Sequence, residues 1–209
     1  MELYIHRYIP VTEVEGPGKR FAIWVQGCSI RCKGCAVPWT WVNENGTKMN
    51  VENLFEFIKD SKEQNEIEGV TFLGGEPFDQ AEALGELGRK VKQLGLTVMT
   101  FTGYLYDDLK KQKQKQNQRL LSVTDLLIDG PFIEEKLDLS RPWVGSSNQN
   151  YHFLTDVYKH LETNFHQFQN KIEIRISQNG TISVNGMATK DTLKEILNQH
   201  TFKRIRSNT

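Results

Sequence analysis

The sequence predicts an α/β fold: a partial (βα) barrel whose mostly parallel sheet stays open on one side, followed by a C-terminal β-hairpin and helix. Three observations predict it. Four short apolar runs, "FAIWV" (21–25), "GVTFLGG" (69–75), "LTVMTFTG" (96–103) and "DLLIDG" (125–130), read as strands buried on both faces. Stretches with apolar residues at helical spacing lie between them. The chain has 209 residues, fewer than the roughly 250 typical of a complete eight-unit barrel. That length suits one domain over 1–209, with a core of about 4–150 and an extension over 151–209.

Taken in order, "LYIHRYI" alternates loosely and is expected at a sheet edge. "EGPGKR" (15–20) is a turn, since Gly16 and Gly18 permit unusual dihedrals and Pro17 fixes one φ. "FAIWV" then runs into a loop that holds every cysteine. Asn50 is placed to cap a helix carrying Val51, Leu54, Phe55 and Ile58 on one face. After "GVTFLGG", Asp79 is expected to cap a helix with the stripe Leu84, Leu87, Val91 and Leu94. A polar helix separates the third and fourth runs, and "KKQKQKQNQR" (110–119) reads as solvated surface.

The tail "KIEIRISQNGTISVNG" (171–186) alternates strictly, as a half-buried antiparallel hairpin does. A two-residue turn at Asn179-Gly180 would set Ile176 opposite Ser183 and mix the faces. A three-residue loop, Gln178 to Gly180, instead pairs Ile176 with Ile182 and Ile174 with Val184, with Gly180 as the left-handed residue. A short helix bearing Leu193, Ile196 and Leu197 follows.

Lys+Arg and Asp+Glu both number 26, a formal net charge of zero. That balance argues against an electrostatic grip on nucleic acid or anionic membrane. No apolar run is long enough to cross a bilayer, and "MELYIHRYIP" lacks the apolar core of a signal peptide. A cytoplasmic location is expected. An odd three cysteines argue against a disulfide framework.

Cys28, Cys32 and Cys35 stand in the pattern Cys-x3-Cys-x2-Cys. Structural zinc usually takes four protein ligands, and His6, His152, His160, His166 and His200 are scattered without ligand spacing. A four-iron cluster held by three thiolates instead keeps one iron open, as a catalytic metal site requires. Gly27 and Gly34 let the backbone pass close to such a cluster. Arg31 and Lys33 either favour the thiolates or are solvated loop charges. In a parallel sheet the chemistry gathers beyond the strands' C-terminal ends. There the cysteine loop, "GGEP" (74–77) and "TGY" (102–104) each follow a strand.

The cysteine spacing, joined to "GGEP" some forty residues on, resembles the radical S-adenosylmethionine superfamily. The resemblance implies a [4Fe-4S] cluster on the three cysteines, with S-adenosylmethionine chelating the fourth iron. It implies that Gly74, Gly75 and Glu76 contact the methionine amino group. Many members carry an aromatic residue before the third cysteine, where this chain has Gly34. "EGPGKRFAIWVQGC" is similar to glycyl-radical-enzyme activases. "TGY", "DLLIDGPFIEE" and "GSSNQ" (145–149) resemble the activases of anaerobic ribonucleotide reductase.

That resemblance implies reductive cleavage of S-adenosylmethionine to a 5′-deoxyadenosyl radical, which takes hydrogen from a glycine of a partner reductase. It implies a low-potential donor such as flavodoxin or ferredoxin, and an oxygen-sensitive site. Thr102 is a candidate for the ribose end. Asp129 either orients the ligand, binds a cation or caps a turn. Ser146, Asn148 and Gln149 either form the mouth that receives the partner's loop or serve loop hydrogen bonding. The chain continues about sixty residues past "GSSNQ". The hairpin there either covers the open barrel side or recognises a different substrate. Two alternatives stay open: a radical enzyme acting on another protein, a peptide or a small metabolite, and a non-catalytic iron–sulfur or zinc protein.

Overall fold

The computed structural model describes residues 1–165 and 168–199. His166 and His200, and the side chains of Ile196 and Leu197 in the terminal stripe, lie outside what is described. Seven strands make one sheet: β1 (Glu2–Thr12), β2 (Arg20–Val25), β3 (Thr47–Asn50), β4 (Gly69–Gly74), β5 (Thr97–Phe101), β6 (Leu126–Asp129) and β7 (Asn150–Phe153). Their order is β3-β1-β2-β4-β5-β6-β7. The four apolar runs are β2, β4, β5 and β6, and each pairs parallel with the next. β1 is antiparallel to β2 and β3, and β7 is antiparallel to β6. The sheet is mostly parallel with a reversed strand on each flank.

β1 is therefore not the edge. The four residues of β3 pair with Glu2 to Ile5 and take the edge position. "TKMN" has neither β-branched density nor alternation enough to announce itself.

Helices α1 (Val51–Asn65), α2 (Ala81–Gln93), α3 (Tyr106–Lys111) and α4 (Lys115–Val123) cross over between strands. Asn50 caps α1, its side chain accepting the Glu52 amide at 2.8 Å. One core unites Phe21, Ile23, Val25, Val70 and Phe72 of the sheet with Leu54, Ile58, Leu84, Leu87 and Leu120 of the helices. The alternate strand residues Ala22, Trp24 and Leu73 bury on the other face. Both faces are covered, which is why these strands are apolar throughout. Glycines let α2 and α4 approach closely: a Cβ on Gly88 would lie 2.6 Å from Val123.

Asp79 does not cap α2. A 3₁₀ turn, Pro77–Gln80, intervenes, and Gln80 at the cap position makes no side-chain capping bond.

Arg20 opens β2 fully buried. Its guanidinium donates to Thr71 Oγ1 at 2.6 Å, Val70 O at 2.7 Å, Tyr158 OH at 2.8 Å and Pro17 O at 3.1 Å. All of these partners are neutral. Such a charge persists in the interior only because its donors are so completely used.

The hairpin, β8 (Ile172–Ile176) and β9 (Ile182–Gly186), pairs Ile176 with Ile182 and Ile174 with Val184. Gly180 has φ +82°. The three-residue loop is borne out. The hairpin is a sheet of its own and does not extend the larger one. Its polar face meets the body of the protein. Asn185 Nδ2 donates to Thr12 Oγ1 at 3.2 Å, the Gly186 amide to Glu15 Oε1 at 3.1 Å, and Arg175 to Val11 O. Ile174 and Ile176 face outward, 45% and 67% exposed. Thr12 pairs with Arg20 at the start of β2, so the hairpin docks at the end of the sheet opposite the cysteine loop. Helix α5 (Lys190–Gln199) follows it.

Candidate cysteine site

The loop after β2 leaves the sheet through Gly27 and bends again at Gly34, with φ +96° and +77°. A Cβ on Gly27 would fall 1.7 Å from Asn43 Oδ1. Cys28, Cys32 and Cys35 are all free and partly exposed. The Cys35 sulfur accepts the Val37 amide at 3.4 Å, while the backbone amides of Ile30 and Arg31 act electrostatically on Cys28 and that of Phe132 on Cys32. Burial pushes the Cys28 and Cys32 thiols up, and these amides work against it. Beside Cys28 opens a cavity of about 520 Å³ lined by Tyr4, Arg31, Trp41, Asn43, Asp79 and Gln80, among others.

The "GGEP" and "TGY" turns converge on this loop as expected. Asp79 accepts the Ser29 amide at 2.7 Å and its hydroxyl at 2.9 Å. The Tyr104 hydroxyl donates to the same carboxylate at 2.9 Å and lies 2.7 Å from Ser29 Oγ. One carboxylate thus joins the cysteine loop, the "GGEP" turn and the "TGY" turn. Sequence reasoning missed Ser29, Asp79 and Tyr104 as partners. The available signal was that each sits within three residues of a motif.

"GGEP" is packed more tightly than the sequence suggests. The Gly75 amide donates to Val25 O at 2.9 Å and the Glu76 amide to Gly27 O at 2.8 Å. A Cβ on Gly75 would come within 2.1 Å of Gly27 O, and one on Gly74 within 2.6 Å of Trp24 Cα. These glycines seat the turn on the β2 backbone, and the Gly75 and Glu76 amides are not left exposed.

Glu76 is buried. Its carboxylate accepts Thr102 Oγ1 and the Gly103 amide at 2.8 Å each, and the Phe78 amide at 2.9 Å. Burial pushes its pKa up to about 7, and these three donors hold it from going higher. A carboxylate has about four lone-pair positions, so one remains. Thr102 serves Glu76 directly.

Asp129 accepts the Tyr106 amide at 2.7 Å, where α3 starts, and Asn150 Nδ2 at 3.2 Å. His152 Nε2 lies 3.1 Å away but is not aligned for a hydrogen bond. Burial raises the Asp129 pKa, yet His152 and the two donors outweigh it and the net direction is down. Asp129 thus has a structural partner at the start of α3.

"GSSNQ" and "DGPF" form one unit. Gln149 Oε1 accepts the Gly145 and Ser146 amides at 2.8 and 3.1 Å, and its Nε2 donates to Gly130 O at 3.2 Å. Ser146 Oγ accepts the Ile133 amide at 3.3 Å, and Asn148 Nδ2 donates to Pro131 O at 2.8 Å. Arg141 binds the carbonyls of Ser146, Ser147 and Gln149. The segment after Pro131 lies on the cysteine loop: Lys33 pairs with Glu135 at 3.2 Å, and a Cβ on Gly34 would meet Glu134.

Among the described residues, no three His, Cys, Asp or Glu side chains already stand together as a closed metal-holding group. The donors nonetheless fit an iron–sulfur cluster. They are three cysteines outside any disulfide and partly exposed on one loop, with an amide donating to Cys35 and backbone amides favouring the thiolates of Cys28 and Cys32.

A family model described as a 4Fe-4S single cluster domain matches residues 14–152. A protein of Vibrio cholerae is 34% identical over 155 residues, covering 72% of this chain and 97% of its own. Relatives in Escherichia coli K12 and Enterobacteria phage T4 are 29% and 31% identical, covering 71% and 74% of this chain and 97% of each. All three are named anaerobic ribonucleoside-triphosphate reductase-activating protein.

The chain belongs to that family. It is an enzyme of the radical S-adenosylmethionine type, and its cofactors are a [4Fe-4S] cluster and S-adenosylmethionine. About a quarter of this activase chain lies outside those alignments. The solved structure of QueE from Escherichia coli aligns with a TM-score of 0.41 at 19% identity, over 49% of this chain and 53% of that one. So slight a likeness decides nothing. No helix among the described residues is long and apolar enough to cross a membrane.

Proposed function

We propose that this chain activates an anaerobic ribonucleoside-triphosphate reductase by generating a glycyl radical on it, with Cys28, Cys32 and Cys35 holding the cluster. One observation carries the reading: three free, partly exposed cysteines stand on one loop, which Asp79 ties to the turn after "GGEP" and the Lys33–Glu135 pair ties to the segment after "DGPF". A cluster held by Cys28, Cys32 and Cys35 would supply the reducing electron for cleavage of S-adenosylmethionine, the chemistry by which hydrogen would be taken from a glycine Cα of the partner.

The chain's own residues do the rest. Backbone amides favour the three thiolates. Glu76 keeps one acceptor position for the ligand ammonium, and such a cation favours its ionised form. With the Gly75 and Glu76 amides spent on the Val25 and Gly27 carbonyls, ligand contact from the glycines falls to their carbonyls. Thr102 fixes the Glu76 carboxylate and reaches the ligand only through it. Ser146 and Gln149 hold the mouth in shape. In this reading the electron donor is a low-potential flavodoxin or ferredoxin in the cytoplasm, and the mostly parallel seven-stranded sheet belongs to a partial barrel open on one side.

Anaerobic reconstitution, reduction and addition of S-adenosylmethionine test this reading, assayed with and without the cognate reductase. The expected result is 5′-deoxyadenosine together with a glycyl radical signal in electron paramagnetic resonance. Cleavage with no radical on the reductase would move the substrate elsewhere. No cleavage by a loaded, reduced cluster would reject the reading.

A further inference from the structure

β1 carries a bulge at a single residue. Ile5 lies opposite Val25 and Arg7 opposite Trp24, so His6 is the extra residue between them. The strand changes faces there. Leu3 and Ile5 belong to the core under the helices, while beyond the bulge Ile9 packs with Ala22 and Trp24 on the other side. A bulge re-aims a side chain at the cost of a broken ladder. This one aims His6 at Trp39, whose Nε1 donates to His6 Nε2 at 3.2 Å. An indole N–H can only donate, so Nε2 accepts and the ring is neutral, with its proton on Nδ1. Burial first, and then Arg7, lowers the His6 pKa against the pull of Gln26, which favours that neutral form.

Trp39 is 55% exposed, so burial does not fix it. Hydrogen bonds do: Gln26 Nε2 takes its carbonyl at 2.9 Å and His6 takes its side chain. The residue stands in the middle of a 3₁₀ turn, Pro38–Thr40, that joins two cysteines. Before the turn, the Val37 amide donates to Cys35 Sγ at 3.4 Å. Along and after it, Thr40 O accepts the Gly27 amide at 2.7 Å and Trp41 O the Cys28 amide at 3.2 Å. The turn is a strut between the third cysteine and the first, and its midpoint is fastened to β1.

We propose that His6 is a positioning residue for the iron–sulfur cluster: by accepting the Trp39 indole N–H it fixes the Pro38–Thr40 turn, and with it the separation of Cys28 and Cys35, so that iron held by the three cysteines is slow to leave.

The inference rests on the reading that Cys28 and Cys35 hold iron, which Cys28→Ala and Cys35→Ala test separately through iron per chain after anaerobic reconstitution. Parental iron in both would sink that reading and this inference with it. The role of His6 is read from the rate at which ferrozine draws iron from the loaded, full-length protein without oxygen. His6→Leu removes the acceptor and should speed that loss by about threefold to tenfold, the factor one hydrogen bond carries. Trp39→Phe removes the donor at an exposed position and should do the same. Joining the two changes should add nothing beyond either one, because they break a single contact. His6→Gln, whose Oε1 can stand where Nε2 stood, should restore most of the parental rate. Parental loss from either single variant, Leu or Phe, overturns the proposal. So do effects that multiply in the double variant, or a His6→Gln protein that loses iron as fast as His6→Leu.

Discussion

Asp79 holds Ser29 by two bonds, one oxygen accepting its amide at 2.7 Å and the other its hydroxyl at 2.9 Å. Ser29 follows Cys28, so this clasp sets where the first cysteine leaves the strand. Asp79→Ala should lower iron per chain severalfold after reconstitution. Global stability should fall by only about 1–2 kcal/mol, since the bonds are exposed. Iron analysis and urea unfolding separate the two effects. Parental amide exchange across residues 28–35 would show that the clasp does not order the loop.

Glu76→Gln keeps the shape of the side chain but turns an N–H₂ toward a donor, the Gly103 amide or the Phe78 and Thr102 pair. The mismatch should cost about 1–3 kcal/mol. S-adenosylmethionine should bind at least ~tenfold more weakly, about 1.4 kcal/mol. Equilibrium dialysis on cluster-loaded protein measures the second quantity. Unchanged affinity would remove Glu76 from the ligand site.

Arg20→Lys replaces a planar fork of five donors with three on a point charge. Thr71, Val70, Tyr158 and Pro17 cannot all be served, and the expected loss is about 3–5 kcal/mol in urea unfolding. Arg20 lies at the end of β2 away from the cysteines. Activity per folded molecule at low temperature should therefore stay near the parent's.

Glu15 reports the docking of the hairpin. Burial pushes its pKa up from 4.5 to about 7, against the bonds from Gly186 and Asn185 and the nearby Arg7. The folded chain therefore holds this proton more tightly than the unfolded chain. Stability from Glu15 is full below about pH 4.5, declines as pH rises toward 7 and is level above. Over that window the loss is roughly 3 kcal/mol. Glu15→Gln should abolish it. The difference in urea midpoint between parent and variant, followed from pH 5 to 8, should grow and then flatten near pH 7. A constant difference would mean that Glu15 does not titrate there.

Much of this was legible because it is local. The buried strands, the Asn50 cap and the hairpin register each follow from residues within about ten positions of one another, and the structure has them all. The failures were long-range. β1 left the edge because Thr47–Asn50 arrives from forty residues away. Asp79 serves Ser29 fifty positions back, which no capping rule anticipates. Alternation said which hairpin residues share a face, but the Thr12–Glu15 corner decided that the polar face turns inward. At the candidate site, motif recognition singled out the cysteines and Glu76 as candidates. It left Asp129 a choice of roles and did not anticipate its bond to the Tyr106 amide, and it missed Asp79 because carboxylates outside a motif carry no label.

The reversed direction of β1 has a practical consequence for anyone handling the enzyme. Glu2 pairs with Asn50, and the Gln26 amide donates to Tyr4 O, so the amino end of the chain emerges beside the cysteine loop. An affinity tag or fluorescent fusion joined ahead of Met1 would crowd the rim where the proposed function brings a reductase. Fusions carried on the hairpin's Gln178–Gly180 loop would hang from the far side and leave that approach clear.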